Sequence, residues 1–182
     1  MVSQGGFYVG PPESLTGDEF DAFLQTLLPL ASNATRDSIR QLYPPATIGD
    51  TTGEWERVTD FIGDFLFSCS AQCLARAFSA GVAYRYIFGA IHGSDVPFTF
   101  YWPGANDSLT AVEQQLAKDM QRIITNFVTT GIPCITDFGQ EQLPLYGAGR
   151  ESLLLNGTRP YLLESDSWDN SRCAWWQRAL YA

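Results

Sequence analysis

Apolar residues recur at helical spacing along most of the chain. Phe20, Phe23, Leu24, Leu27 and Leu28 fall on one face of a helix that the capping box Thr16-Gly-Asp-Glu19 opens. A Ser/Asn/Thr stretch separates it from a short helix carrying Ile39 and Leu42, closed by Pro44-Pro45. Trp55, Val58, Ile62, Phe65 and Leu66 predict a third helix, and residues 70–80 a fourth that ends at Gly81. A second capping box, Thr110-Ala-Val-Glu113, opens a long helix through Leu116, Met120, Ile123, Ile124, Phe127 and Val128. Gly131 and Pro133 stop it, and a final helix holds Trp175, Trp176 and Leu180.

The period changes once. Residues 82–88 are dense in Tyr, Val, Ile and Phe, with Arg85 the only charge, and predict a strand. Apolar on both faces, it suits a strand covered on both sides in an α/β sheet. Leu153–Leu155 is only a short apolar run. An isolated strand is marginal in water. The pattern therefore predicts an α/β chain with more helix than strand, the edge of a sheet whose other strands lie elsewhere. No repeat, linker or low-complexity tract interrupts it, so residues 1–182 read as a single partial domain.

Composition narrows the chemistry. A net charge of −9 is the wrong sign for gripping phosphates, so nucleic acid is not an expected partner. No run approaches the length of a membrane span. One His and four Cys leave little for a metal centre, and Cys69 and Cys73, four apart, have no second pair at ligand spacing. Nowhere is there a Gly-rich phosphate loop, a dinucleotide fingerprint or the Gly-x-Ser-x-Gly turn that exposes a nucleophilic Ser. No cofactor and no metal are expected. Asn33-Ala-Thr35, Asn106-Asp-Ser108 and Asn156-Gly-Thr158 fit the glycosylation acceptor pattern, and an even cysteine count is compatible with two disulfides. Both lean towards a secreted origin, although residues 1–12 lack the basic start and apolar run of a leader. A chain that is a piece of something longer reconciles the two.

The strand runs into the loop Gly89-Ala-Ile-His-Gly-Ser-Asp95-Val-Pro97. His92, the only side chain that titrates near neutrality by default, sits where α/β folds place reactive groups. On spacing alone, an ordinary loop His bonding to the backbone is the more economical reading. Asp95 could orient it, but a carboxylate three residues away more often serves the turn or the next segment.

The run Tyr84-Arg-Tyr-Ile-Phe88 followed by Ile91-His-Gly-Ser-Asp95-Val-Pro-Phe98-Thr-Phe100 resembles the C-terminal region of type B carboxylesterases, the α/β-hydrolases that include cholinesterases and fungal lipases. Leu42-Tyr-Pro44, Gly63-Asp-Phe-Leu-Phe-Ser-Cys69, Ile124-Thr-Asn-Phe127, Thr130-Gly-Ile-Pro133 and Leu143-Pro-Leu-Tyr146 agree in order. The ending Ser171-Arg-Cys-Ala-Trp-Trp-Gln-Arg-Ala-Leu-Tyr181 is similar to secreted fungal members. The resemblance implies a C-terminal fragment of an α/β-hydrolase fold, mostly helices with the last one to three strands of the sheet. It makes His92 the general base and acid of a Ser–Glu/Asp–His triad acting on carboxylic esters. Triad order in that fold is Ser, acid, then His, so the Ser falls outside this chain. The acid position falls on Gln4 or Gly5, neither a carboxylate. Gly5-Gly-Phe7-x-x-Gly10 also resembles the family's oxyanion loop, but Pro11-Pro12 and the helix after it match the post-acid context better. The chain alone is thus expected to be inactive unless an N-terminal part completes it. The alternative is a non-catalytic derivative that binds or self-associates through its exposed sheet edge. The resemblance further implies a Cys69–Cys173 disulfide and leaves Cys73 to Cys134.

Overall fold

In the computed structural model the described residues are 17–45, 51–78, 83–88, 93–104, 109–136, 142–147, 149–155, 157 and 161–178. They form α1 (Gly17–Leu27), α2 (Asn33–Leu42), α3 (Thr51–Gly63), a π-helical turn (Asp64–Ser68), α4 (Cys69–Ala77), β1 (Tyr86–Phe88), α5 (Val96–Thr99), α6 (Ala111–Thr130), β2 (Glu151–Leu155), β3 (Leu162–Ser165) and α7 (Ser171–Trp176). The helical periods correspond to α1, α2, α3 with α4, α6 and α7. The expected boundary between the third and fourth helices is instead a continuous run from Thr51 to Ala77, because the π turn absorbs it. Thr16, the first half of the α1 capping box, and Gly81 lie outside the described residues.

Two units organise these elements. The first holds residues 17–73 and 168–178. Its core is aromatic: the Phe61 ring lies 5.4 Å from Phe20, 5.7 Å from Tyr43 and 6.0 Å from Trp176. The Arg57 guanidinium covers the Phe20 ring at 3.8 Å, and this largely buried cation is paired with Glu54 at 3.1 Å. Inside this core the π turn presents Asp64, which is wholly buried. A buried carboxylate needs partners. Tyr43 Oη donates to it at 2.9 Å and Arg172 Nε lies 3.1 Å away, while Trp176 Nε1 donates to Tyr43 Oη at 2.9 Å. Arg172 NH1 also reaches Asp60 at 3.0 Å. The Cys69–Cys173 disulfide adds a covalent tie between α4 and α7 across 104 residues of sequence.

The second unit holds residues 74–167. Its sheet has the order β1-β2-β3, with β1 parallel to β2 and β2 antiparallel to β3. The expected strand over 82–88 is shorter than its apolar run. Only Tyr86–Phe88 pair with β2, Tyr84 makes an isolated bridge to Leu145, and Val82 lies outside the described residues. The Leu153–Leu155 run is the C-terminal half of β2, which supplies β1 with a neighbour. Alternation puts Phe88, Leu153 and Leu155 on one face, where Leu116, Met120 and Ile123 of α6 bury them with Ile135 and Leu143. Thr110 and Glu113 form the full capping box of α6, and Gly131 ends it with φ 78°, a conformation glycine adopts without a Cβ clash. Among the described residues β1 is an edge of the sheet, and no helix is long and apolar enough to cross a membrane.

Opening the Cys69–Cys173 link frees a long loop in the unfolded chain. Cys173→Ala is expected to lower stability by about 4–5 kcal/mol in urea denaturation. Burial first, and then the charge of Asp64, pushes the Tyr43 phenol far above its usual range. The folded chain therefore keeps a proton that the unfolded chain loses above pH about 10, so stability falls as pH rises there. Tyr43→Phe is expected to flatten that alkaline slope while costing about 1–3 kcal/mol at neutral pH, where Asp64 and Trp176 lose a partner. Urea titrations of both proteins at neutral and alkaline pH check this.

Candidate active-site segment

β1 leaves the sheet at Phe88, and residues 89–92, His92 among them, lie outside the described residues. Description resumes at Gly93, whose φ of +80° suits a residue with no Cβ. Gly93 and Asp95 then nucleate α5 through their carbonyls: Val96 N–H donates to Gly93 at 3.2 Å, and Thr99 N–H donates to Asp95 at 2.8 Å. Pro97 falls in the first turn, where its missing N–H leaves no helical bond unmade. Composition gave no sign of α5 within the expected loop.

Both ends of the segment are fastened. The Phe88 ring on one side meets the Phe98 ring on the other at 5.1 Å, with planes inclined at 61°. Gln121 of α6 donates to the Thr99 and Tyr101 carbonyls at 3.2 and 2.8 Å. Asp95 serves its turn by its backbone, while its carboxylate makes no capping hydrogen bond. Burial, and secondly the Asp95 charge, raise the Tyr86 phenol above its usual range. Beside the strand runs an apolar groove of about 210 Å³, lined by Tyr84, Tyr86, Ile124, Phe127, Pro133 and Leu143.

Arg85, a lone charge in an apolar strand, has its answer in Asp166. Its NH1 lies 2.8 Å from Asp166 Oδ2, with the Arg85 side chain about nine-tenths buried and the Asp166 side chain fully so. Tyr146 Oη donates to the same oxygen at 2.6 Å. Sequence reasoning missed Asp166 and Tyr146. A charge in a strand expected to be buried was the available signal, since it requires an opposite charge nearby.

The other expected sites divide as follows. Cys69 and Cys173 form a disulfide, whereas Cys73 and Cys134 do not pair: Cys73 is an exposed thiol on α4 and Cys134 a buried one. Asn126 Nδ2 donates to the Cys134 carbonyl at 2.9 Å and contacts its sulfur at 3.0 Å, which occupies the thiol's surroundings. The expected second disulfide is therefore corrected to two free thiols. Asp64 lies with Cys69 and Cys173 at a spacing that suits a metal ion, but both sulfurs are consumed by their mutual bond and offer no thiolate. Asn33 is exposed at the first position of α2, with Ser32 as its N-cap. Asn106, Asn156, Gln4 and Gly5 lie outside the described residues.

The family model of the carboxylesterase family matches residues 13–176. The chain belongs to the carboxylesterase family. Among relatives of this carboxylesterase chain, carboxylesterase patB of Penicillium expansum is 30% identical over 97% of the chain and 31% of its own length. Its counterpart in Aspergillus clavatus is 29% identical over 97% of the chain and 32% of its own length. An acetylcholinesterase of Bungarus fasciatus is 28% identical over 69% of the chain and 23% of its own length. In structure, 99% of the chain superimposes on 37% of a PNB esterase with a TM-score of 0.65 at 23% identity, which shows a shared fold. The fold is thus that of part of an α/β-hydrolase, and the chain spans about a third of the length of these relatives.

Asp166→Ala removes the buried carboxylate that faces the Arg85 guanidinium at 2.8 Å and accepts from Tyr146 Oη. It is expected to destabilise the chain by about 3–5 kcal/mol, measured by chemical denaturation.

Proposed function

We propose that this chain is the C-terminal part of a carboxylic ester hydrolase and contributes the histidine of its triad. The observation that carries the reading is the family match over residues 13–176, joined to the motif that runs from Tyr84 through His92 to Phe100. In that role His92 accepts the proton of a serine hydroxyl as it attacks the ester carbonyl, and the alcohol leaves with the proton returned by the imidazolium. A second step passes water through the same base and releases the carboxylic acid. Serine, acid and oxyanion donors would come from a preceding part of a longer polypeptide, because Gln4 and Gly5 offer no carboxylate and no Gly-x-Ser-x-Gly turn is present. Residues 1–182 would then be one partial domain. The Cys69–Cys173 disulfide and the acceptor sites at Asn33, Asn106 and Asn156 support an extracellular, glycosylated protein.

A second reading rests on β1 standing at a sheet edge among the described residues. An uncovered edge strand is a template for pairing, and a non-catalytic chain would use it to bind or self-associate.

The 182-residue chain alone is expected to leave p-nitrophenyl esters intact. Joined in one polypeptide to the preceding two thirds of the Penicillium expansum carboxylesterase, it is expected to hydrolyse them, and His92→Ala is expected to lower kcat by about 10³-fold or more. Steady-state kinetics on the three proteins test this. Turnover by the isolated chain that His92→Ala removes would place a nucleophile within residues 1–182 and overturn the reading.

A further inference from the structure

β1 pairs with β2 in parallel, and parallel strands occur almost only in sheets whose faces are covered. One side of β1 is open. Backbone groups of successive strand residues point to opposite neighbours. The Leu153 N–H donates to the Arg85 carbonyl at 3.0 Å, so Arg85 faces β2 and the N–H and C=O of Tyr86 point the other way. Among the described residues no strand stands on that side.

The side chains add a second feature at the same edge. Tyr84, Tyr86 and Phe88 share a face by alternation. Tyr84 and Phe88 pack against the core cluster that includes Ile123 of α6. Between the two tyrosines and Ile124 and Phe127 the packing stops short, which leaves the groove of about 210 Å³. It is open to solvent, with Phe127 46% and Tyr86 38% exposed. A cavity of about 150 Å³ accepts a benzene ring, so the groove has room for one large apolar side chain. Unpaired main chain beside an apolar pocket is what an extended segment needs to add itself to a sheet.

A second copy of the chain supplies the wrong filling. Two-fold pairing sets β1 against β1 and presents each patch with itself. The side chains it offers are Tyr84 and Tyr86, which already line the groove. The chain spans about a third of the length of its carboxylesterase relatives, so most of such a polypeptide lies outside these residues.

We propose that the open side of β1 and the groove beside α6 seat an extended apolar segment from the preceding part of a longer polypeptide. That segment pairs with the Tyr86 backbone and sets one large apolar side chain between Tyr86 and Phe127. The proposal rests on the reading of this chain as the C-terminal part of an ester hydrolase.

Hydrogen exchange of the Tyr86 amide, followed by NMR with isotope-labelled tyrosine, reads the pairing directly. In the 182-residue chain the amide is expected to exchange as an open group. Joined to the preceding two thirds of the Penicillium expansum carboxylesterase, it is expected to slow by about 10²-fold or more. The Aspergillus clavatus protein serves as a second donor of that part. Phe127→Asn is expected to lower the urea midpoint of the joined polypeptide more than that of the chain alone. Val128→Asn, one residue on but 77% exposed and outside the groove, is expected to shift both alike. A Tyr86 amide that exchanges equally fast in both proteins, or equal Phe127→Asn shifts, would overturn the proposal. So would an amide already protected in the chain alone, where light scattering tells a second copy from another stretch of the same chain. Ester hydrolysis is read separately. A joined polypeptide that protects Tyr86 but is inactive counts against His92 as the base, and an active one that leaves Tyr86 unprotected counts against the seat.

Discussion

The buried charge pair between Arg85 and Asp166 is the constraint around which the second unit is arranged. A strand of three residues has too few ladder bonds to hold its own direction, and β1 stands at the sheet edge among the described residues. Its orientation comes from outside the ladder. Arg85 pulls it towards the chain after β3, Tyr146 ties the intervening segment to the same carboxylate, and α6 packs against its apolar face through Met120 and Ile123. Each device would be weak alone. Together they hold the strand in one position against β2.

The other unit solves a similar problem by different means. Asp64 is enclosed by Tyr43 and Arg172, Trp176 in turn donates to Tyr43, and the Cys69–Cys173 bond makes the arrangement covalent. In both units a wholly buried carboxylate collects a tyrosine hydroxyl and an arginine from distant parts of the sequence. Partners that far apart are costly to bring together, and they discriminate strongly between correct and incorrect packing. The carboxylesterase family match thus describes a segment whose structure depends on long-range polar contacts as much as on its apolar faces.

That dependence explains what local pattern could and could not reveal. Helices with strong periods and explicit caps, such as α6 with Thr110 and Glu113 at its start and Gly131 at its end, were readable because propensity, cap and apolar face agree. β3 was not, because Leu162–Ser165 is exposed throughout and shows no buried alternation; its place comes from pairing with β2. α5 was hidden in a loop rich in glycine, since a four-residue helix carries no period. The pairing of Cys73 with Cys134 failed because elimination counts thiols and ignores their surroundings: one is exposed, and the other is occupied by Asn126. For the site itself, the motif around His92 identified the family, whereas Asp166 and Tyr146 lie far along the chain and are joined to Arg85 only by the fold.

If the chain supplies a base to a serine held elsewhere in a longer polypeptide, the reactive nucleophile should not belong to residues 1–182. Serine-directed fluorophosphonate labelling, with the adduct mapped by mass spectrometry, tests this most directly in the joined polypeptide. The account predicts a single modified serine in the preceding part, with labelling slowed by His92→Ala. An adduct on a serine within residues 1–182, formed at the same rate with or without His92, would contradict it.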